Sequence, residues 1–272
     1  MNTLSQQMRL FYENPVINWH EHVRESSPGV LDEDCDQLVA AATATGMDKL
    51  LCSIPFTDPY CPPEVFQRGN DVVAQAMRRH PSKIVGMCFV NPGYCRQAIA
   101  EIQRCITKLG MAGVKLYHQY FIDEPIQFPI IEKCIELDVP ILMHAGMVCD
   151  PISQKMEPRI SNGVHFANIG KRYPKARFIM AHIGGGGDWQ GSLKPIEDVS
   201  NVFIDMSGSV YDSPMIEEAV RLLGAERILF GTDLSFSSCI GKILGAKISD
   251  TEKRTILEGT AFLRYLTKEG VK

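Results

Sequence analysis

Val16-Ile17-Asn18-Trp19-His20-Glu21-His22 is an apolar run that ends in two histidines one residue apart. Three more runs end in the same way. Pro140-Ile141-Leu142-Met143 leads into His144, Arg177-Phe178-Ile179-Met180-Ala181 into His182, and Arg227-Ile228-Leu229-Phe230-Gly231-Thr232 into Asp233. Short apolar runs bounded by turn signals read as buried strands. Four imidazoles and a carboxylate at strand ends are the nitrogen and oxygen donors that a catalytic divalent ion takes while keeping a position open.

Outward from these runs, strand and helix patterns alternate. After the first strand, strands are expected over Lys49–Ile54, Lys83–Val90, Ala112–Tyr117, Val139–His144, Ala176–His182, Val202–Met206 and Arg227–Thr232. Helices are expected over Leu31–Gly46, Pro62–His80, Cys95–Leu109, Phe128–Leu137, Ile160–Tyr173, somewhere between Gly191 and Val199, over Pro214–Leu223, and in the tail Asp250–Leu266. Acidic residues, prolines and glycines punctuate them as helix starts and stops. Eight strands recurring about every 30 residues match the βα unit of a single-domain TIM (β/α)8 barrel. A doubly wound open sheet would also alternate, but a closed barrel gathers the ends of its first, fifth, sixth and eighth strands at one mouth. Residues 1–15 read as an extension outside the barrel, and 16–272 as the barrel itself.

The chain of 272 residues has the size of one such barrel. Its net charge of -4 argues against a nucleic-acid or anionic-membrane surface. The first ten residues lack the apolar core of a secretory signal, and no run is long enough to span a bilayer. Nine cysteines without a Cys-x-x-Cys spacing read as reduced thiols of a cytoplasmic protein.

Residues two apart on a strand share a face, so His20 and His22 are expected to point inward, Glu21 away, and Asn18 inward one layer below. Lys115 ends a strand-like run, and Tyr117 shares its parity; both are expected to line the substrate pocket. His118 has the other parity and reads as a loop residue. Gly184-Gly185-Gly186-Gly187 reads either as a phosphate cradle or as a sharp turn beside the metal, with Asp188 and Trp189 at the rim or in packing.

The segments Asn18-Trp19-His20-Glu21-His22, Gly113-Val114-Lys115-Leu116-Tyr117, Leu142-Met143-His144-Ala145-Gly146, Ala181-His182-Ile183-Gly184-Gly185 and Phe230-Gly231-Thr232-Asp233 resemble the amidohydrolase superfamily. The resemblance is to amidohydrolase family 2, the branch that includes aminocarboxymuconate-semialdehyde decarboxylase. It implies that His20, His22, His144 and Asp233 bind one divalent metal. Zinc is the expected ion, and manganese or iron suits the same ligands. It also implies that Asp233 and His182 handle protons or polarise a carbonyl. On the same resemblance Lys115 is a carbamylated bridge between two metals, a plain amine near the substrate, or a residue of the rim. Two departures stand out: Asn18 where the family usually has aspartate, and Gly259-Thr260-Ala261 where it often has Gly-Asn-Ala.

The main functional expectation is hydrolysis of a small amide, ester or lactone by metal-activated water. The alternative is non-oxidative decarboxylation of an unsaturated or aromatic acid, for which Arg24 and Arg159 are the loop cations that could grip a carboxylate. A third reading is a barrel that binds metal or ligand without turnover. The substrate is a small molecule in the first two, and a homodimer is left open.

Overall fold

The computed structural model describes residues 4–55, 60–183, 187–208, 210–212 and 214–266. Eight strands lie in sequence order in one sheet, each parallel to the next. They are β1 (Ile17–His22), β2 (Lys49–Ser53), β3 (Ile84–Phe89), β4 (Gly113–Leu116), β5 (Ile141–Met143), β6 (Phe178–Met180), β7 (Val202–Asp205) and β8 (Ile228–Leu229). The seam between β8 and β1 is closed by backbone bonds from β1 to the residues just beyond β8. Trp19 N donates to Phe230 O at 2.8 Å, and Thr232 N and Asp233 N donate to His20 O at 3.2 and 2.8 Å. The chain is a TIM barrel.

Apolar side chains fill both sides of the cylinder. Ile17, Trp19, Leu51, Met87, Leu142, Ile179, Phe203 and Leu229 form the interior. Phe262, from the turn after the last helix, stops the lower end; its ring meets Trp19 at 5.3 Å and Phe203 at 4.6 Å, both edge-on. The helices pack on the outside. Helix Pro63–Arg79 starts with proline in its first turn, ends in Arg78 and Arg79, and buries Phe66, Gly69, Val72, Val73 and Ala76 on one face. Helix Asp250–Glu258 opens with a reciprocal Ser249–Glu252 cap and closes on Gly259 at φ 59. A Cβ on Gly259 would lie 2.2 Å from Nε1 of Trp19, so both the left-handed turn and the ring demand glycine. Thr260 and Ala261 follow in the turn that delivers Phe262.

Two buried polar clusters tie elements together. Asn70, on helix Pro63–Arg79, donates to Phe89 O and to Glu101 Oε1, each at 2.9 Å. Glu101, on helix Cys95–Thr107, also receives Arg104 at 2.7 and 2.8 Å and the Cys105 thiol at 3.2 Å. Arg227 opens β8 and donates to the carbonyls of Ile196, Glu197, Val199 and Val202 at 2.8 to 3.0 Å. It thereby pins the turn before β7.

Several elements differ from expectation. Residues 4–12 are helical (Leu4–Tyr12), and Phe11 seats on Phe230 at 5.7 Å on the outer face. A short hairpin, Glu25–Ser27 with Val30–Leu31, follows β1. Helices Pro151–Met156 and Phe236–Gly245 were not expected. The sixth barrel helix shrinks to Trp189–Leu193 plus a tighter turn at Lys194–Ile196. None of the described helices is long and apolar enough to cross a membrane. The nine cysteines are free thiols.

Candidate active site

The first strand carries a feature that alternation conceals. Asn18 pairs with Leu50 but Glu21 pairs with Cys52, so three steps on β1 face two on β2. This is a bulge, and it reverses the inward parity part-way along the strand. Trp19 fills the barrel and His20, the next residue, also points in. The expectation that Asn18 shares the face of His20 is therefore corrected. Asn18 sits with Glu21 on the other face, donating to it at 3.3 Å and to Thr232 Oγ1 at 2.6 Å. Glu21 is buried, and its carboxylate accepts the backbone N–H of His22 at 2.9 Å and of Leu234 at 3.1 Å. The Asn18–Glu21–Thr232 network thus ties the end of β1 to the loop that carries Asp233.

At the mouth, His20, His22 and Asp233 bring one donor atom each to within 4.8 Å of one another. Nε2 of His22 is 3.0 Å and Nε2 of His20 is 3.7 Å from Oδ1 of Asp233. Each histidine is held by its other nitrogen. Nδ1 of His20 lies 2.9 Å from Oδ2 of Asp205, and Nδ1 of His22 lies 3.2 Å from the Ser53 carbonyl. Anchoring Nδ1 on a carboxylate or carbonyl leaves the Nε2 lone pair facing the centre, the usual support of a metal-binding histidine. Gly231 makes this possible: a Cβ there would press at 3.1 Å on both Asp205 and His20.

His182 and Asp233 both lie in the left-handed backbone region, at φ 64 and φ 44, and Leu234 follows at φ 67. Such strain costs of order 1–3 kcal/mol per residue and persists only where surrounding bonds hold it. Here the holding bonds are Asp233 N to His20 O at 2.8 Å and His182 N to Asp205 Oδ1 at 3.3 Å. Nδ1 of His182 lies 3.0 Å from Ser207 Oγ and 3.5 Å from Asp233 Oδ2. Its Nε2 faces Nδ1 of His144 at 2.9 Å, and Nε2 of His144 faces Glu157 at 3.2 Å. His144 is therefore engaged one ring away from the group of His20, His22 and Asp233. His118, in a turn after β4 as expected, is buried beside it with ring centroids 5.5 Å apart, and forms another cluster of possible ligands with His144 and Glu157.

Lys115 is fully buried and its Nζ donates to Nε2 of His20 at 2.6 Å. Tyr117 stacks between His22 and His144, at 6.5 and 5.8 Å. A cavity of about 370 Å³ opens above, lined by His144, Glu157, His182, Asp233, Met156 and Tyr211. Arg24 lines a separate cleft with His22 and Asp32. Gly184–Gly186 lie outside the described residues. Asp188 caps the helix that follows and Trp189 is buried, donating to Asp212 at 3.0 Å, so the pair serves packing.

A family model described as Amidohydrolase matches residues 61–261. The chain belongs to the amidohydrolase family. A curated relative, the 2-amino-3-carboxymuconate-6-semialdehyde decarboxylase of Dictyostelium discoideum, is 23% identical over 71% of this chain and 64% of its own length. The chain thus spans less than two thirds of that protein. A 2-keto-4-carboxy-3-hexenedioate hydratase of Sphingobium sp. is 25% identical over 71% of this chain and 69% of that one. Among solved structures, a 2,6-dihydroxybenzoate decarboxylase from Rhizobium superposes with a TM-score of 0.72 at 19% identity, covering 93% of this chain and 99% of the other. A dihydroxybenzoic acid decarboxylase from Polaromonas sp. JS666, with bound manganese and the inhibitor 2-nitroresorcinol, gives 0.73 at 18% identity, covering 93% and 97%. At these identities the structural likeness shows the fold.

The electrostatics of this amidohydrolase suit a cation. Burial and the neighbouring Lys115 lower His20 to about 4. Burial and the facing His144 push His182 well below its ordinary value. Burial alone would raise Asp233, but the bond to His22 and the nearness of His20 and His182 hold it far below the usual carboxylate range. Neutral imidazoles beside an ionised carboxylate are the protonation states that metal ligation requires. Burial also lowers Lys115, to about 8. Asp205, Ser207, Ser53 and Glu157 were not singled out from the sequence. Asp205 ends an apolar strand as Asp233 nearly does, so that signal was present; Glu157 lies among exposed residues and had none.

Proposed function

We propose that this amidohydrolase is a metal-dependent carboxy-lyase that removes a carboxyl group, without oxidation, from a small unsaturated or aromatic acid. The observation that carries it is the grouping of His20, His22 and Asp233 beneath a cavity walled by the His182–His144 pair. The relatives described above bear the names of decarboxylases and a hydratase, all acting on acids, which favours this reading over the hydrolysis first expected.

His20, His22 and Asp233 would hold one divalent ion, with manganese as well as zinc suiting the set. His144 is a further candidate ligand, for which its ring must give up its contact with His182. When bound, such an ion supplies Lewis acidity toward a substrate oxygen. The chain does the rest. Asp205 and the Ser53 carbonyl fix the ring orientation of His20 and His22. Asp233 and His182, 3.5 Å apart at the cavity, are the groups that move a proton. As the carboxyl carbon leaves as carbon dioxide, its bonding pair stays on the substrate and spreads over the conjugated system. The proton handled by His182 and Asp233 goes to the carbon so vacated. Lys115 and Tyr117 line the base of the site, Lys115 as a plain amine that must release Nε2 of His20 for that atom to take the ion.

The test is a panel of aromatic and unsaturated acids, amides and lactones incubated with metal-loaded protein in deuterated water. Release of carbon dioxide with one deuteron at the vacated carbon supports the proposal. Cleavage of an amide or lactone without carbon dioxide overturns it. His182→Asn is expected to lower turnover about 100-fold or more while the metal content stays near that of the wild type.

A further inference from the structure

One wall of the catalytic cavity is itself a group of donors. His118, His144 and Glu157 each bring one ligand atom to within 4.8 Å of the other two, and the group shares no residue with His20, His22 and Asp233. Nε2 of His144 and Oε2 of Glu157 stand 3.2 Å apart. Donors about 2.0–2.2 Å from a tetrahedral ion stand roughly 3.4 Å from each other, so this pair is already at the spacing of two ligands. His118 is 8% exposed, and its Nδ1 is buried with no hydrogen-bond partner among the described residues. A buried nitrogen without a partner is costly, and in a neutral ring its lone pair is a donor with nothing to bind. His144 and Glu157 are partly exposed and line the cavity, so an ion from solvent can reach them.

We propose that His118, His144 and Glu157 form a second site for a divalent cation, and that filling it restrains the proton-moving pair beside it. Two imidazoles and one carboxylate, with a position left for water, are a donor set that zinc takes. Nδ1 of His144 faces Nε2 of His182 at 2.9 Å. An ion on Nε2 of His144 leaves the proton of that neutral ring on Nδ1, where it donates to His182. His182 then carries its own proton on Nδ1, toward Ser207 Oγ at 3.0 Å and Asp233 Oδ2 at 3.5 Å. Its Nε2 lone pair is taken, so the ring can accept no further proton there and a relay through it stops. The same ion withholds His144 from the catalytic one. A first equivalent of metal therefore activates and a second slows. The site stands independently of the carboxy-lyase reading; the slowing rests on it.

The experiment titrates Co2+ into protein already loaded with one equivalent of it. Visible absorption reports the coordination and equilibrium dialysis the number of ions bound. The wild type should take a second equivalent about tenfold or more weakly than the first, because no carboxylate or carbonyl holds the far nitrogen of His118 as Asp205 holds His20. His118→Asn and Glu157→Gln should each weaken the second equivalent about tenfold or more and leave the first within about twofold, which also shows that the variants fold. No second equivalent up to about 1 mM, or one that survives both substitutions, would overturn the site. Carbon dioxide release should fall as the second equivalent binds to the wild type, and should not in His118→Asn. Release that stays constant while the second equivalent fills would overturn the restraint. A second equivalent removed by the variants, with no acid releasing carbon dioxide, supports the site and sinks the lyase. Carbon dioxide from a protein that takes only one equivalent does the reverse.

Discussion

Replacing Asp205 with asparagine should weaken metal binding through His20 while leaving the barrel folded. Oδ1 of Asp205 accepts three donors: the backbone N–H of His182 at 3.3 Å, that of Ser207 at 2.8 Å, and the Ser207 hydroxyl. Oδ2 faces Nδ1 of His20 at 2.9 Å. An asparagine must keep its oxygen toward the three donors, so its NH2 turns onto His20. Two N–H groups cannot share that contact. His20 must move its proton to Nε2, which removes the lone pair that would take the ion and that Lys115 meets at 2.6 Å. Loss of such support costs 10–100-fold in metal affinity, or about 1.4–2.8 kcal/mol. Competition against a chelating fluorescent indicator near pH 7 measures it, with far-ultraviolet circular dichroism as the control for folding. An affinity within about twofold of the wild type, with the fold intact, would refute the claim that Asp205 sets the His20 tautomer.

Three further outcomes concern the frame. Arg227→Met strips the charged donors from four carbonyls and should cost on the order of 3 kcal/mol, read from urea denaturation. Burial raises the Glu101 carboxyl, but Arg104, Asn70 and Cys105 lower it more, so its folded value lies below its unfolded one. Its contribution is present above the unfolded pKa of about 4.3 and is lost as pH falls through the folded one. Glu101→Gln should therefore differ most from the wild type near neutrality and converge with it in acid; a difference independent of pH would count against the assignment. Gly259→Ala, at φ 59 against Trp19, should lower the melting temperature by the equivalent of more than about 1 kcal/mol and perturb tryptophan fluorescence.

The barrel was legible because its strands are short apolar runs, four of them with a polar terminus that marks the mouth, as in Ile141–Met143 before His144 and Phe178–Met180 before His182. The bulge in β1 was not, because one inserted residue leaves no mark in composition yet turns Asn18 away from the face of His20. Helix Phe236–Gly245 is hard to read from sequence because Gly241 and Gly245, poor helix formers, interrupt its apolar pattern. The gathering of His20, His22 and Asp233 was implied by spacing along the chain. The contact of His144 with Glu157 depends on how one excursion from the barrel folds back, which no local pattern encodes.

The bonds that complete the cylinder also set the spacing of its donors, since the carbonyl of His20 receives the amide of Asp233. An ion seated on His20, His22 and Asp233 would act as a clasp between the opening and closing staves. Tightening that clasp must stiffen the joint, and loosening the joint must ease the ion's escape, by the same free energy in either direction. Amide hydrogen exchange at Asp233 should slow with added metal more than at positions on the opposite side of the ring.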